Sequence, residues 1–564
     1  MAPQIKKPLA QALKTCRSSF LMVGFFSMCI NLLMLVPSIY MLQVYDRVIT
    51  SGSEVTLLMI TLIMTSMLVT IGVLEWVRSR ILVRVSNNLD MQLNQKVFNT
   101  SFKRALYTGN NGNSSQSLQD LTGLRQFMTG NGLFAFFDAP WIPIYLFVMF
   151  VFHAWFGWIA VASALLLSVL AVINEYATRG GLQKANEEVT IANLSIRQTM
   201  ANAEVIQSMG MLDNLRHNWL KTQYKVLSWQ TNASERACII TPISKTLRML
   251  IQSLILGVGA YLAINNQITP GLMIAGSILL GRALAPIDQM IGAWKGFIAA
   301  RGQYSRLSKA LEGAPEQDQS MSLPKPQGNI VLDGVVIAPP GSRVPTLKGI
   351  SFSVSAGEVI GVLGPSAAGK STLARGLLGI WPTMNGKVRL DGADIFTWNR
   401  TELGPSIGYL PQDIELFAGS VSENIARFGD IDAQKVVAAA QESGVHELVL
   451  SLSDGYDTVI GAQGANLSAG QRQRIGLARA LYDQPNLIVL DEPNSNLDER
   501  GEMALAHAIH GLKKRGATVF IITHRPNILA VVDKLIVLNA GVLQGFGPRD
   551  EVLASLKKTT KAIA

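Results

Sequence analysis

Apolar residues crowd the first 300 positions in long runs and then thin into short alternating blocks. The first run, residues 20–42, has no charged residue, and a second covers 56–74. Residues 133–152 and 155–173 form a pair parted by a short turn around His153; 249–264 and 271–280 form another, parted by 265–270. A membrane-spanning helix needs about 20 mainly apolar residues. Four runs meet that directly, and the last two meet it if polar positions near Arg282 and Asp288 lie inside the span. The pattern predicts six spanning helices. Stretches 87–106 and 182–211 carry apolar residues at helical spacing, so the loops that hold them are expected to extend the spanning helices.

The pattern changes after a polar, proline-rich stretch that holds Pro315, Pro324 and Pro326. Beyond it, short apolar runs alternate with helical stretches, as in an α/β domain. The expected division is an all-α transmembrane domain with six spans over 1–310, a linker over 311–328 and an α/β domain over 329–564.

Composition agrees with a chain that lies partly in lipid. The 564 residues are 49% hydrophobic and only 16% charged, whereas soluble domains run near a quarter charged. Cys16, Cys29 and Cys238 show neither disulfide nor zinc spacing. The formal net charge of +10 first suggests nucleic acid or an anionic membrane. Its distribution decides. Lysines and arginines gather before the first span, between the second and third (Arg78 and Arg84 among them) and between the fourth and fifth, while the opposite loops hold only Arg47. By the positive-inside rule, both termini and the two long loops are cytoplasmic. The basic excess is therefore topological and favours membrane lipid over nucleic acid as the partner. The first run is too long for a signal-peptide core, so it is expected to be a retained anchor. Arg282 falls about eleven residues, roughly 16 Å, from the outer end of the sixth span. A charge at that depth turns towards protein or water. Two roles stay open for it: pairing with Asp138 or Asp288, or facing a central pathway.

The soluble part carries recognisable chemistry. An apolar strand at 358–363 runs into Gly364-Pro365-Ser366-Ala367-Ala368-Gly369-Lys370-Ser371-Thr372, and a helical pattern follows. This is a complete GxxxxGK[ST] phosphate loop between strand and helix. Its glycines let backbone N–H groups surround phosphate oxygens, and the helix N-terminus adds its positive end. Lys370 supplies charge for the β- and γ-phosphates of a nucleotide, and the Ser371 hydroxyl is a Mg²⁺ ligand. About 120 residues further on, a second apolar strand ends in Asp491-Glu492. Asp491 is suited to hold Mg²⁺, and Glu492 to orient or polarise an attacking water. Between these motifs, Ser468 opens a helix in Leu467-Ser468-Ala469-Gly470-Gln471, another anion site.

An LSxGQ signature between a phosphate loop and an acid-terminated strand resembles the nucleotide-binding domain of ABC transporters. Gln412 stands where that family has its Q-loop glutamine, Asn494–Asp498 where it has the D-loop, and His524 where it has the switch histidine. The resemblance implies that Gln412 joins Ser371 and Asp491 around Mg²⁺, and that Glu492, Gln412 and His524 serve hydrolysis. It also implies that Ser468, Gly470 and Asp498 close the ATP site of a second copy, since one phosphate loop and six spans make half a transporter. A homodimer is the simplest assembly; a heterodimer with a sister half-transporter is the alternative. Two positions depart from the family pattern. Pro339 stands where exporters place an aromatic residue under adenine, and Ala462 where an acid often precedes the signature.

Residues 40–48 and 137–145 resemble stretches of type I secretion permease/ATPases, within them the exporters of alkaline protease and lipase of Gram-negative bacteria. Relatives that export toxins often carry an extra N-terminal peptidase-like domain. With about 19 residues before the first span, none is expected here. The resemblance implies an inner-membrane protein with its ATPase domain in the cytoplasm. It would export an unfolded polypeptide bearing a C-terminal signal, with a periplasmic adaptor and an outer-membrane channel. Export of lipid or small molecules is the alternative reading.

Overall fold

The computed structural model describes residues 8–108, 116–312, 322–461, 464 and 466–555. Residues 313–321 of the expected linker and Ala462 lie outside the described residues. The chain divides into two compact units, Met1–Ala105 with Asn110–Ala314, and Leu106–Gly109 with Pro315–Ala564.

The first unit is helical. Among the described residues, six segments are long and apolar enough to cross a membrane: Arg17–Ser51, Glu54–Tyr107, Gly132–Phe152, Ala154–Ala201, Leu212–Ile264 and Pro270–Glu312. Four run 43 to 54 residues, far beyond bilayer thickness. The expected extensions at 87–106 and 182–211 are thus helix continuous with the spans, broken near Asn202 and Met209 in the second case. The third span is less regular than its hydropathy suggests. Pro140 and Pro143 each lack a backbone N–H, and the helix breaks into Asn131–Asp138, a 3₁₀ turn at Ala139–Trp141 and Ile142–Phe152. The first span breaks near Met34 and widens into a π turn at Val44–Val48. There Asp46 accepts from the Gly271 N–H at 2.9 Å and the Thr269 hydroxyl at 2.5 Å, capping the sixth span.

The bundle packs through small residues. Phe156 is fully buried, and a Cβ at Gly276 would lie 2.7 Å from its ring. A second apolar cluster joins Leu9 and Cys16 to Leu89, Leu93, Leu121 and Leu307 in the helical extensions.

In the second unit a six-stranded sheet runs in the order Val542–Pro548, Lys534–Asn539, Val359–Leu363, Thr518–Ile522, Leu487–Asp491, Ile407–Leu410. Only the edge strand Val542–Pro548 is antiparallel. Leu487–Asp491 and Thr518–Ile522 are buried at every residue, as a parallel sheet covered on both faces requires. A separate antiparallel sheet joins Ile330–Ile337, Leu347–Val354, Asn385–Leu390 and Ala393–Asp394. Parallel strands share direction, so Leu363, Ile522, Asp491 and Leu410 all end at one sheet edge. That edge gathers motifs scattered over 160 positions of sequence.

Candidate nucleotide site

The phosphate loop forms as its residue types require. Gly364 sits at φ 155°, and a Cβ there would lie 2.3 Å from the Leu538 carbonyl, so the tight exit from the strand demands glycine. Ala367 takes φ 62° and Gly369 φ 97°, which turns successive N–H groups inward. Helix Lys370–Leu377 starts directly after, so its unpaired N–H groups face the same hollow. Lys370 is only 9% exposed. Its ammonium donates to the carbonyls of Gly364 at 2.7 Å and Pro365 at 3.1 Å, folded over the loop it belongs to. Pro365 and Ser366 are exposed at the loop's crest, while Ala368 and Thr372 are buried beneath it.

Asp491 ends its strand 3% exposed. Burial pushes its carboxyl above the usual range; the Ser371 hydroxyl bonded to it pulls back, the Glu492 charge pushes up, and Arg375 and Lys370 pull down. A buried carboxylate against a hydroxyl supplies hard oxygen ligands of the kind that suits a divalent cation. Glu492 is a non-glycine residue at φ 50°. Its carboxylate accepts from the Gln412 amide at 3.3 Å, which brings the Q-loop position to the strand end. His524 lies exposed just past strand Thr518–Ile522.

Ser468 caps helix Ala469–Leu481 in a full capping box with Gln471. Gly470 packs on the D-loop, where an added Cβ would meet the Asn496 carbonyl at 2.9 Å. Asp498 caps Glu499–Lys514 through the Gly501 N–H at 2.8 Å and pairs with Arg474 at 2.5 Å. That N–H and the Arg474 guanidinium hold its carboxyl below the usual range.

In the helical unit a cavity of about 640 Å³ is lined by Glu75, Arg78, Asp138, Tyr145, Arg282 and Gln289 among others. The acids proposed as partners for Arg282 are taken elsewhere: Asp138 pairs with Arg78 at 2.9 Å, and Asp288 with Arg248 at 2.7 Å. Arg282 is exposed to the cavity. Arg78, which the charge count places among loop cations, is instead buried, with its guanidinium also on the Ser27 hydroxyl and over the Phe134 ring.

Comparison with known proteins identifies the family. The ABC transporter transmembrane region family matches residues 20–284, and the ABC transporter family matches 347–495. The type I secretion system ATP-binding protein PrsD of Rhizobium meliloti is 42% identical over 97% of this chain and 94% of its own. The chain is a type I secretion ABC transporter. The leukotoxin translocation protein LktB of Mannheimia glucosida is 27% identical, covering 95% of this chain and 76% of its own length. The cyclolysin secretion/processing protein CyaB of Bordetella pertussis is 26% identical, covering 94% and 75%. In fold, the chain matches a bacterial Atm1-family ABC exporter solved with ATP bound. The TM-score is 0.83 at 21% identity, over 96% of both chains.

As an ABC transporter of this family, the protein is a multi-pass membrane protein that binds ATP and couples its hydrolysis to export in a secretion system. The fold brings the phosphate loop, Asp491, Glu492, Gln412 and His524 to one sheet edge, while the signature joins the D-loop on one flank. Two features escaped sequence reasoning. The buried Arg78–Asp138 pair gives no local signal, since its partners are 60 residues apart. Gln473, beside the signature, was legible only as one polar residue in Gln471-Arg472-Gln473-Arg474.

Proposed function

We propose that this transporter exports an unfolded polypeptide of the secreted protease or lipase kind, carrying a C-terminal signal, across the inner membrane of a Gram-negative bacterium. It does so as a homodimer with its nucleotide-binding domains in the cytoplasm, together with a periplasmic adaptor and an outer-membrane channel. The observation that carries this reading is the likeness to a type I secretion protein along the whole chain, membrane unit included. The polar cavity supports it, because charged groups among the spans suit a hydrated peptide better than a lipid tail.

In the ATP site, Lys370 and the backbone of Gly364–Thr372 bind the phosphates, and Ser371, Asp491 and Gln412 would hold Mg²⁺, which would supply charge neutralisation at the terminal phosphates. Glu492 takes hydrogen-bond control of the attacking water, with Gln412 and His524 beside it. Ser468, Gly470 and Asp498 complete the site of the second copy.

The test is secretion from cells in which the gene is deleted and then restored, with adaptor and channel present. Export of a protease or lipase that depends on both this gene and the cargo's C-terminal segment is expected. ATPase stimulation by lipid alone, with secretion untouched by the deletion, would sink the reading in favour of lipid export.

A further inference from the structure

We propose that Gln473 is a positioning residue for Glu492: it fixes the backbone turn that aims the carboxylate and fastens that turn to the signature helix. The inference rests on the reading of Glu492 as the hydrolytic carboxylate.

Gln473 lies in the second turn of helix Ala469–Leu481 and is 2% exposed. A buried primary amide must find partners for its donors and acceptor. Gln473 takes them all from one loop. Its Nε2 donates to the Pro493 carbonyl and, at 3.4 Å, to the Glu492 carbonyl; its Oε1 accepts the Asn496 N–H at 2.9 Å.

That loop needs holding. Glu492 stands at φ 50°, a left-handed conformation that costs a non-glycine residue about 1 kcal/mol or more and persists where its surroundings over-determine it. On its amide side, the Glu492 N–H donates to the Ile522 carbonyl at 3.0 Å; on its carbonyl side, the Ser495 N–H closes the turn at 3.2 Å. Gln473 adds the side-chain fastening on that carbonyl side and the next. The turn sets where the carboxylate points, 3.3 Å from the Gln412 amide.

The same helix begins with Ser468 and Gly470, and Gly470 rests on the Asn496 carbonyl. In the dimer proposed above, the signature meets the partner's ATP while Glu492 serves its own. Gln473 is therefore the link by which seating of the signature on one nucleotide sets the carboxylate at the other. A gap of only an ångström in such a placement costs about a hundredfold in rate.

The experiment uses the full-length transporter in lipid nanodiscs. Gln473→Met keeps the length and removes all three bonds; Gln473→Glu keeps an acceptor for Asn496 but places a carboxylate against two carbonyls. Both are expected to accumulate, Gln473→Met melting within a few degrees of the parent and Gln473→Glu lower, because it buries a carboxylate against two carbonyls. The kcat for ATP should fall about ten- to hundredfold with KM changed less than about twofold. In single-turnover hydrolysis, adding Gln473→Met to Glu492→Gln should cause no further loss, because the misplaced group is already disabled.

A kcat within twofold of the parent, a KM rise that matches the kcat loss, or losses that multiply in the double variant would each overturn the inference. Failure of both variants to accumulate would overturn it too, assigning Gln473 to the fold alone. Near-normal turnover by Glu492→Gln alone would instead remove the reading on which the inference rests.

Discussion

Lys370 bends back onto the Gly364 and Pro365 carbonyls, so its charge is stored within reach of the phosphates it must meet. Lys370→Ala should remove charge-assisted bonds of about 1.5–3 kcal/mol and weaken ATP binding about ten- to hundredfold, as read by fluorescent-nucleotide titration. Glu492→Gln keeps the turn but cannot accept a proton. It should bind ATP normally and hydrolyse it about 10²- to 10⁴-fold more slowly; near-normal hydrolysis would take Glu492 out of the chemistry. The adenine end is a separate case. Pro339 follows strand Ile330–Ile337, and its carbonyl takes the Ser342 N–H at 3.0 Å in a turn with no aromatic side chain. The resemblance that places Pro339 under adenine then predicts the loss of stacking worth about 0.5–1.5 kcal/mol. ATP and GTP should compete within about tenfold of each other, and a strong ATP preference would point to another residue beneath the base.

At the scale of elements, the break in the third span serves the bundle. The prolines end one helix at Asp138, whose carboxylate then takes Arg78 at 2.9 Å and the Asn31 amide at 3.0 Å; Tyr145 bonds Asn31 in turn. Side-chain exposures of 7% and 16% make this a largely desolvated pair. Asp138→Asn or Arg78→Met should cost about 3–5 kcal/mol by stranding one buried charge. Removing both together should restore much of the loss, measured as thermal stability in detergent. Arg282 differs: it faces the cavity, and Asp138 and Asp288 are engaged by other arginines. Arg282→Ala should reduce secretion while abundance and basal ATPase activity stay near parental levels. A variant that fails to accumulate would assign Arg282 to structure.

For the whole molecule, the proposed site is shared between copies, which predicts a complementation pattern. Pairing a Lys370→Ala chain with a Ser468→Arg chain leaves one composite site intact and should retain part of the ATPase activity. Placing both substitutions on one chain beside an unmodified partner damages both sites and should retain almost none. The reverse pattern would mean that each chain completes its own site.

The spans, their helical extensions and the order of the ATPase motifs were legible in sequence because they are local. Hydrophobic runs, glycine spacing and strand-ending acids are dictated by neighbours along the chain. The breaks at Met34 and Asp138 were not, although Pro140 and Pro143 marked one, because hydropathy records burial and not hydrogen bonding. Long-range pairing was decided only by the tertiary structure. Parallel strand order brings Leu363, Asp491 and Ile522 to one edge, and helix packing assigns Asp138 to Arg78 and leaves Arg282 to the cavity. Gln473 belongs to the same class: a buried amide's role is set by the three backbone groups that surround it, and these come from a loop about 20 residues away in sequence.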